Sequence, residues 1–311
     1  MTRLGGTAVP FTWPADTKTA IALTLDNMGE AADLNRGLWP KDELVGKHYS
    51  VTEVLPKILA LLKKYDIHVT YFIESWNLKH YPEFIANQLA KAGHEVAWHA
   101  WQHEAWSKLD EDEERANFDR SFGENGLSGF CAGTGRGKVL PYRGFRPPGG
   151  QIHGNRTIAL CREYGLGYIS PAAEKAAIVP VGGQNPKDSM VILPFRWRTV
   201  DATYFMDQFS GLRKMKGMQE TVMTEHQLVT SYKKEIDNAI EDGQFLSLLF
   251  HPFLTNTTAR FKAMEEIVQY LASKRDQGLI WLDRCRDIEQ YCRQNPRSVA
   301  QDPEYDTAEW R

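Results

Sequence analysis

The chain has 311 residues, of which 42% are apolar and 25% charged, and its formal net charge at pH 7 is −3. These values fit a globular α/β domain with a sizeable core. A slightly negative chain without a basic stripe gives no electrostatic case for a nucleic acid or an anionic membrane as partner, and no stretch approaches the roughly 18 apolar residues that span a bilayer.

Residues Met1 to Thr19 contain one Arg, scattered Gly and Pro, and no apolar run of leader type. The expectation is therefore a cytoplasmic location, with a secreted or wall-associated one as the alternative. Ala20 to Leu25 reads as a buried strand. After a loop containing Trp39 and Pro40, Ser50 and Glu53 have capping-box spacing, and Val54, Leu55, Ile58, Leu59 and Leu62 recur at helical period. Pro56 falls six residues after that cap, so the helix is expected to start later or to kink there. Ile67 to Ile73 is a second strand, followed by a helix over 81–92 that Gly93 ends. Glu95 to Trp98 is a third strand and runs directly into His99.

The acids of Asp110 to Arg115 suit a helix start. The Gly-rich stretch Phe130 to Lys138 lacks Walker spacing and is expected to be a loop. Further strands are expected at 142–145, 167–170, 191–194, 245–250 and 279–282, with helices at 155–164, 225–241 and 259–275. This alternation predicts a mostly parallel sheet covered by helices. The four cysteines, Cys131, Cys161, Cys285 and Cys292, have no metal-knuckle spacing, and reduced thiols are the expected state.

His99-Ala-Trp-Gln-His103 carries two imidazoles four residues apart. On a helical turn, both rings lie on one face and point at one ion, and imidazole is the commonest ligand of zinc-type metals. Asp26, Arg146 and His251 follow other apolar runs, so four candidate groups stand just past strand C-termini. That is where α/β barrels assemble their active sites.

These segments together resemble the polysaccharide deacetylase family, the metal-dependent N-deacetylases of chitin, peptidoglycan and related acetylated sugars. Thr24-Leu25-Asp26-Asn27 resembles its first motif, Thr-Phe-Asp-Asp. His99 and His103 resemble its His-x-x-x-His, Phe145-Arg146-Pro147-Pro148-Gly149 its third motif, and Leu249-Phe250-His251 its last. The resemblance covers about residues 20 to 282. It implies one catalytic domain over 1–311 with irregular extensions at both ends, folded as a distorted (β/α) barrel of seven or eight parallel strands.

It also implies roles. A divalent ion, zinc first and cobalt or another metal as alternatives, polarises the acetamide carbonyl and holds the attacking water. Asp26 is then the general base, His99 and His103 are ligands, His251 is the general acid for the departing amine, and Arg146 keeps Asp26 ionised. Asn27 stands where the family has its metal-binding Asp. An amide oxygen still ligates but brings no charge, and Glu30 is a second candidate for the missing carboxylate. Gly149 stands where the family has Tyr and keeps the N–H that binds an oxyanion, which Pro148 lacks. The family's fourth motif is absent, and Asp201 is the best substitute for the acid that orients His251.

Trp76, Trp98, Trp101, Trp106 and Trp197 are candidates for sugar-ring platforms or for packing. The implied substrate is an N-acetylated glycan, most readily chitin or its oligomers. The alternatives are hydrolysis of a small amide or cyclic imide on the same fold, and a non-catalytic carbohydrate-binding homologue. Nothing in the sequence indicates an oligomer.

Overall fold

The computed structural model describes residues 13–133, 137–180 and 189–307. Thr134 to Arg136 of the Gly-rich stretch and Met1 to Phe11 and Thr12 of the N-terminal reading lie outside them. Nine strands make one curled sheet: β1 (Thr19–Asp26), β2 (Thr70–Ile73), β3 (Glu95–Trp98), β4 (Gly144–Phe145), β5 (Tyr168–Ile169), β6 (Ala177–Pro180), β7 (Ser189–Ile192), β8 (Leu246–Phe250) and β9 (Ile280–Leu282). The order is β6-β7-β5-β4-β3-β2-β1-β8, and β9 joins β1 beside Thr19 to Ile21. All pairings are parallel except β6 with β7. The expected barrel is thus a half-barrel with one antiparallel edge strand, which the sequence reading did not include.

β1 shows why the sheet curls around a mixed interior. Side chains alternate across a strand. Ile21, Leu23 and Leu25 face the large cluster under the helices. Ala20 and Ala22 face inward, and the small alanines leave room for Phe72 and Tyr168 inside the curl. The same inward period carries Thr24 and Asp26 toward the C-terminal end, where polarity replaces packing.

The far end of the interior is closed by the helix Cys285–Gln294, whose Cys285, Ile288 and Cys292 join this inner cluster. The segment after β9 therefore contributes a regular helix to the interior. All four cysteines are free thiols.

Side-chain caps start some of the helices and not others. Asp110 and Glu113 form a capping box at Glu111–Phe122, and Thr224 with Gln227 forms another at Glu225–Asp242. Ser50 caps nothing, because Tyr49 is already helical and a wide π-type turn, Ser50–Val54, precedes Leu55–Lys64. That turn places Pro56 at the start of the regular helix, where a missing N–H costs little. The helix expected over 81–92 runs as a short α-turn, Pro82–Phe84, into a π-helix, Ile85–Ala90, and Gly93 (φ 90°) lies in the turn that follows. Among the described residues no helix is long and apolar enough to cross a membrane.

Candidate active site

Arg146, from the turn after β4, lies fully buried across the inner face of the sheet. Its Nη1 donates to Asp26 Oδ1 at 2.7 Å and to Thr24 Oγ1 at 2.8 Å. Nε and Nη2 donate to Ser170 Oγ at 3.2 and 2.9 Å, and Nη2 also reaches Ser247 Oγ at 3.1 Å. The guanidinium lies over the Phe72 ring at 4.1 Å. Three strands and one turn thus supply its partners. A buried ion pair repays its desolvation only when every remaining donor is satisfied in this way. Arg146 is thus an interior group of the site.

The second pair is built by β8 and the helix Asp201–Phe205. The backbone N–H of His251 donates to Asp201 Oδ2 at 2.8 Å, and its Nδ1 lies 2.5 Å from Asp201 Oδ1. Asp201 is 1% exposed. Burial opposes a charged imidazole here, but the Asp201 carboxylate and its hydrogen bond outweigh that, and His251 stays above its ordinary value. The bond at Nδ1 leaves Nε2 to face the cleft.

His99 is held differently. Its Nδ1 donates to the Arg146 carbonyl at 2.7 Å, so the Nε2 lone pair faces Asp26 Oδ2 at 4.0 Å. Burial pushes His99 down to about 4, against the pull of Asp26, so the ring is neutral. The two histidines do not share a helix. The chain turns from 99 to 103 with left-handed Ala100 (φ 67°) and His103 (φ 66°), and the turn brings the rings to 5.0 Å at 73°. Arg36 Nη2 lies 3.0 Å from His103 Nδ1 and Asn35 Nδ2 donates to the His103 carbonyl, so the loop after β1 closes over this corner.

Asn27 is buried and left-handed (φ 58°), and Tyr71 Oη donates to its carbonyl at 3.0 Å. Its side-chain amide has no hydrogen bond to another described residue. Glu30 is spoken for elsewhere: Oε1 accepts from the Gly46 N–H and Oε2 from Tyr81 Oη, both at 2.5 Å. Glu30 thus pins the loop after β1 through both carboxylate oxygens.

Among the described residues no three His, Cys, Asp or Glu side chains form a metal cluster. The side chains that could be offered to an ion are His99 and His103, whose rings lie 5.0 Å apart, and the Asn27 amide, with His103 Nδ1 accepting from Arg36 Nη2. That set is neutral, so it is a weaker one than a set with a carboxylate.

Gly149 has φ 81°, in a turn closed by the Gly150 N–H on the Pro147 carbonyl at 2.9 Å. Its own N–H bonds no described residue, and so remains available to an anionic oxygen. The tryptophans divide clearly. Trp98, Trp101, Trp106 and Trp197 are buried, and Trp98 and Trp106 pack with Phe118 and Phe145. Trp76 alone of the five is half-exposed, stacked on His80 at 3.7 Å.

Sequence reasoning missed Thr24, Ser170 and Ser247, whose hydroxyls hold Arg146, and also Arg36 and Glu74. The hydroxyls carried a signal, since each is a polar residue within or just after an apolar strand.

This architecture defines a class of α/β half-barrel proteins with a strand-end polar site. A protein named as a polysaccharide deacetylase from Mycobacterium smegmatis superposes with TM-score 0.74 at 23% identity, over 97% of this chain and 98% of that one. The Puue allantoinase superposes with TM-score 0.69 at 18% identity, over 94% and 97%. At these identities the likeness is one of fold. Residues 15–169 match the polysaccharide deacetylase family model. Chitin deacetylase 1 of Saccharomyces cerevisiae is 33% identical over 114 residues, 37% of this chain and 34% of that protein. The chain thus spans about a third of that relative's length.

The chain belongs to the polysaccharide deacetylase family, whose members are deacetylase hydrolases and generally depend on a metal.

Proposed function

We propose that this protein hydrolyses the N-acetyl group of N-acetylglucosamine-containing glycans, with chitin-type oligomers as the first substrates to test. The observation that carries the reading is the coexistence of two buried pairs, Asp26 with Arg146 and His251 with Asp201, at neighbouring strand ends. Amide hydrolysis needs a base for the attacking water and an acid for the amine, which otherwise leaves poorly.

Asp26, kept beside Arg146, takes the proton of a water molecule. His251, charged through Asp201, delivers a proton to the departing nitrogen. The Gly149 N–H donates to the oxygen that gains charge as the carbonyl becomes tetrahedral. A divalent ion such as zinc, when held by His99, His103 and Asn27, supplies Lewis-acid polarisation of that carbonyl. His99 serves this set because its Nδ1–H is fixed on the Arg146 carbonyl and Nε2 is free. The half-exposed Trp76 face is the one tryptophan of the five available to a sugar ring.

A second reading, hydrolysis of a small cyclic amide or imide, is favoured by one feature. The proposed ligand set has no carboxylate of its own, and the Arg36 guanidinium lies against His103. The allantoinase that shares the fold makes that reading concrete. Zinc-loaded protein should release acetate from short N-acetylglucosamine oligomers and leave a panel of cyclic imides intact. Imide ring opening without acetate would replace the first reading with the second.

A further inference from the structure

Glu74 follows β2 directly and is 0% exposed. Its Oε2 accepts two hydrogen bonds, from the Met28 N–H at 3.0 Å and from Asn77 Nδ2 at 3.1 Å. Its Oε1 has no partner, and neither does Asn77 Oδ1. Two buried acceptors on side chains already joined to each other are both left wanting, and what the pair lacks is one donor. An ionised carboxylate accepts only, whereas a protonated one carries an O–H.

We propose that Glu74 is a neutral carboxylic acid closed into an acid–amide ring with Asn77, and that this ring positions the Asp26–Gly29 turn through the Met28 N–H. Asn77 Nδ2–H donates to Oε2, and the proton on Oε1 donates to Asn77 Oδ1, so one proton satisfies both orphans. Each acceptor thereby gains the partner it lacks.

The surroundings agree. Burial is the largest influence and pushes Glu74 up to about 8, against the Met28 hydrogen bond, with Asp26 and Glu104 adding repulsion. The groups facing it are Asp26 at the end of β1, Tyr71 on β2, Glu104 after β3 and Tyr142 before β4. None of these is a cation. The turn it holds has two left-handed residues in three, Asn27 (φ 58°) and Gly29 (φ 61°), and a backbone in that region persists only where its surroundings hold it. Tyr71 Oη grips the Asn27 carbonyl and Glu74 grips the next N–H. The neutral acid thus fixes the metal-side amide without placing a second negative charge beside Asp26.

The test is infrared difference spectroscopy on full-length protein labelled with 13C-glutamate, combined with unfolding across pH. Wild type at pH 7 should show a protonated glutamate carboxyl band that Glu74→Gln lacks, and the band should fade as pH rises through about 8. The folded protein keeps a proton that the unfolded chain releases near its ordinary value. Wild-type stability therefore falls as pH rises toward about 8, and the melting-temperature gap in favour of Glu74→Gln widens between pH 5 and 8. Glu74→Ala should lower acetate release by about tenfold, with Glu74→Gln recovering most of it, because Gln reproduces the neutral acid's donor and acceptor. The band and the unfolding curves are read without substrate, so they stand apart from the glycan assignment. A pH 7 spectrum of wild type without the protonated band overturns the proposal even if the Gln variant does not fold, and so does a gap that is constant with pH.

Discussion

The two sides of the site are built on different principles. On the acid–base side, Asp26, Arg146, Asp201 and His251 are each at most 8% exposed, and the polar partners of Arg146 come from the sheet interior. On the ligand side, Asn27 has an uncommitted amide, His103 sits in a left-handed turn, and its neighbour Arg36 is an exposed residue of a loop. The first side is pre-organised, because moving any one group strands a buried charge. The second is looser only at His103 and Arg36, which lie on turns, whereas Asn27 and His99 are buried and held by Tyr71 and the Arg146 carbonyl. Under the proposed function, the acid and the base therefore stand on strand ends, and His103 is contributed by a loop.

The comparison is broken most severely from the acid–base side. Asp26→Asn should reduce acetate release by roughly 10²–10⁴-fold, the range of a lost general base, as measured on N-acetylglucosamine oligomers. The same variant leaves Arg146 buried beside a neutral amide. Arg146→Met strands Asp26 instead, and denaturant unfolding should show a loss of about 3–5 kcal/mol, the scale of one broken buried pair. A loss below ~1 kcal/mol would mean that the interior hydroxyls and water already solvate Asp26.

The ligand side should respond in metal affinity rather than in stability. His103→Ala should abolish stoichiometric zinc and acetate release together, read by elemental analysis and product assay, while the melting temperature barely moves. Asn27→Asp adds the charge the donor set lacks. It should tighten zinc by at least ~tenfold, about 1.4 kcal/mol, in a chelator competition. The smallest expected effect is that of Trp76→Ala, a few-fold rise in KM for longer oligomers, on the scale of ~1 kcal/mol for one exposed stacking face.

The strands that carry the site were legible because each ends a short apolar run on a polar residue: Asp26 after Ala20 to Leu25, His99 after Glu95 to Trp98, and His251 after Phe245 to Phe250. Asp201 was identified as the substitute acid, and the structure brings it to His251. The local backbone was less legible. Nothing in Ala100 announces a left-handed residue, so the two histidines read as a helical pair. The π-type turn before Pro56 is set by how Tyr49 and Ser50 enter the helix, and the capping-box spacing there was coincidental.

The plug helix Cys285–Gln294 and the edge strand β6 lay outside the alternating pattern that organised the reading. Glu30, Glu74 and Arg36 owe their places to contacts with residues 16, 46 and 67 positions away, which no local pattern encodes.

The most direct test of the acid–base account is the pH profile of acetate release by wild type beside Asp201→Asn. His251 must hold its proton to act. In wild type the rate should therefore persist above the ordinary histidine value and fall as pH rises through the raised one. Removing the Asp201 charge leaves burial to dominate, so the alkaline limb should move acidward, with a lower maximum. An alkaline limb that stays in place in Asp201→Asn would show that His251 is not the acid, and the account would fail at its centre.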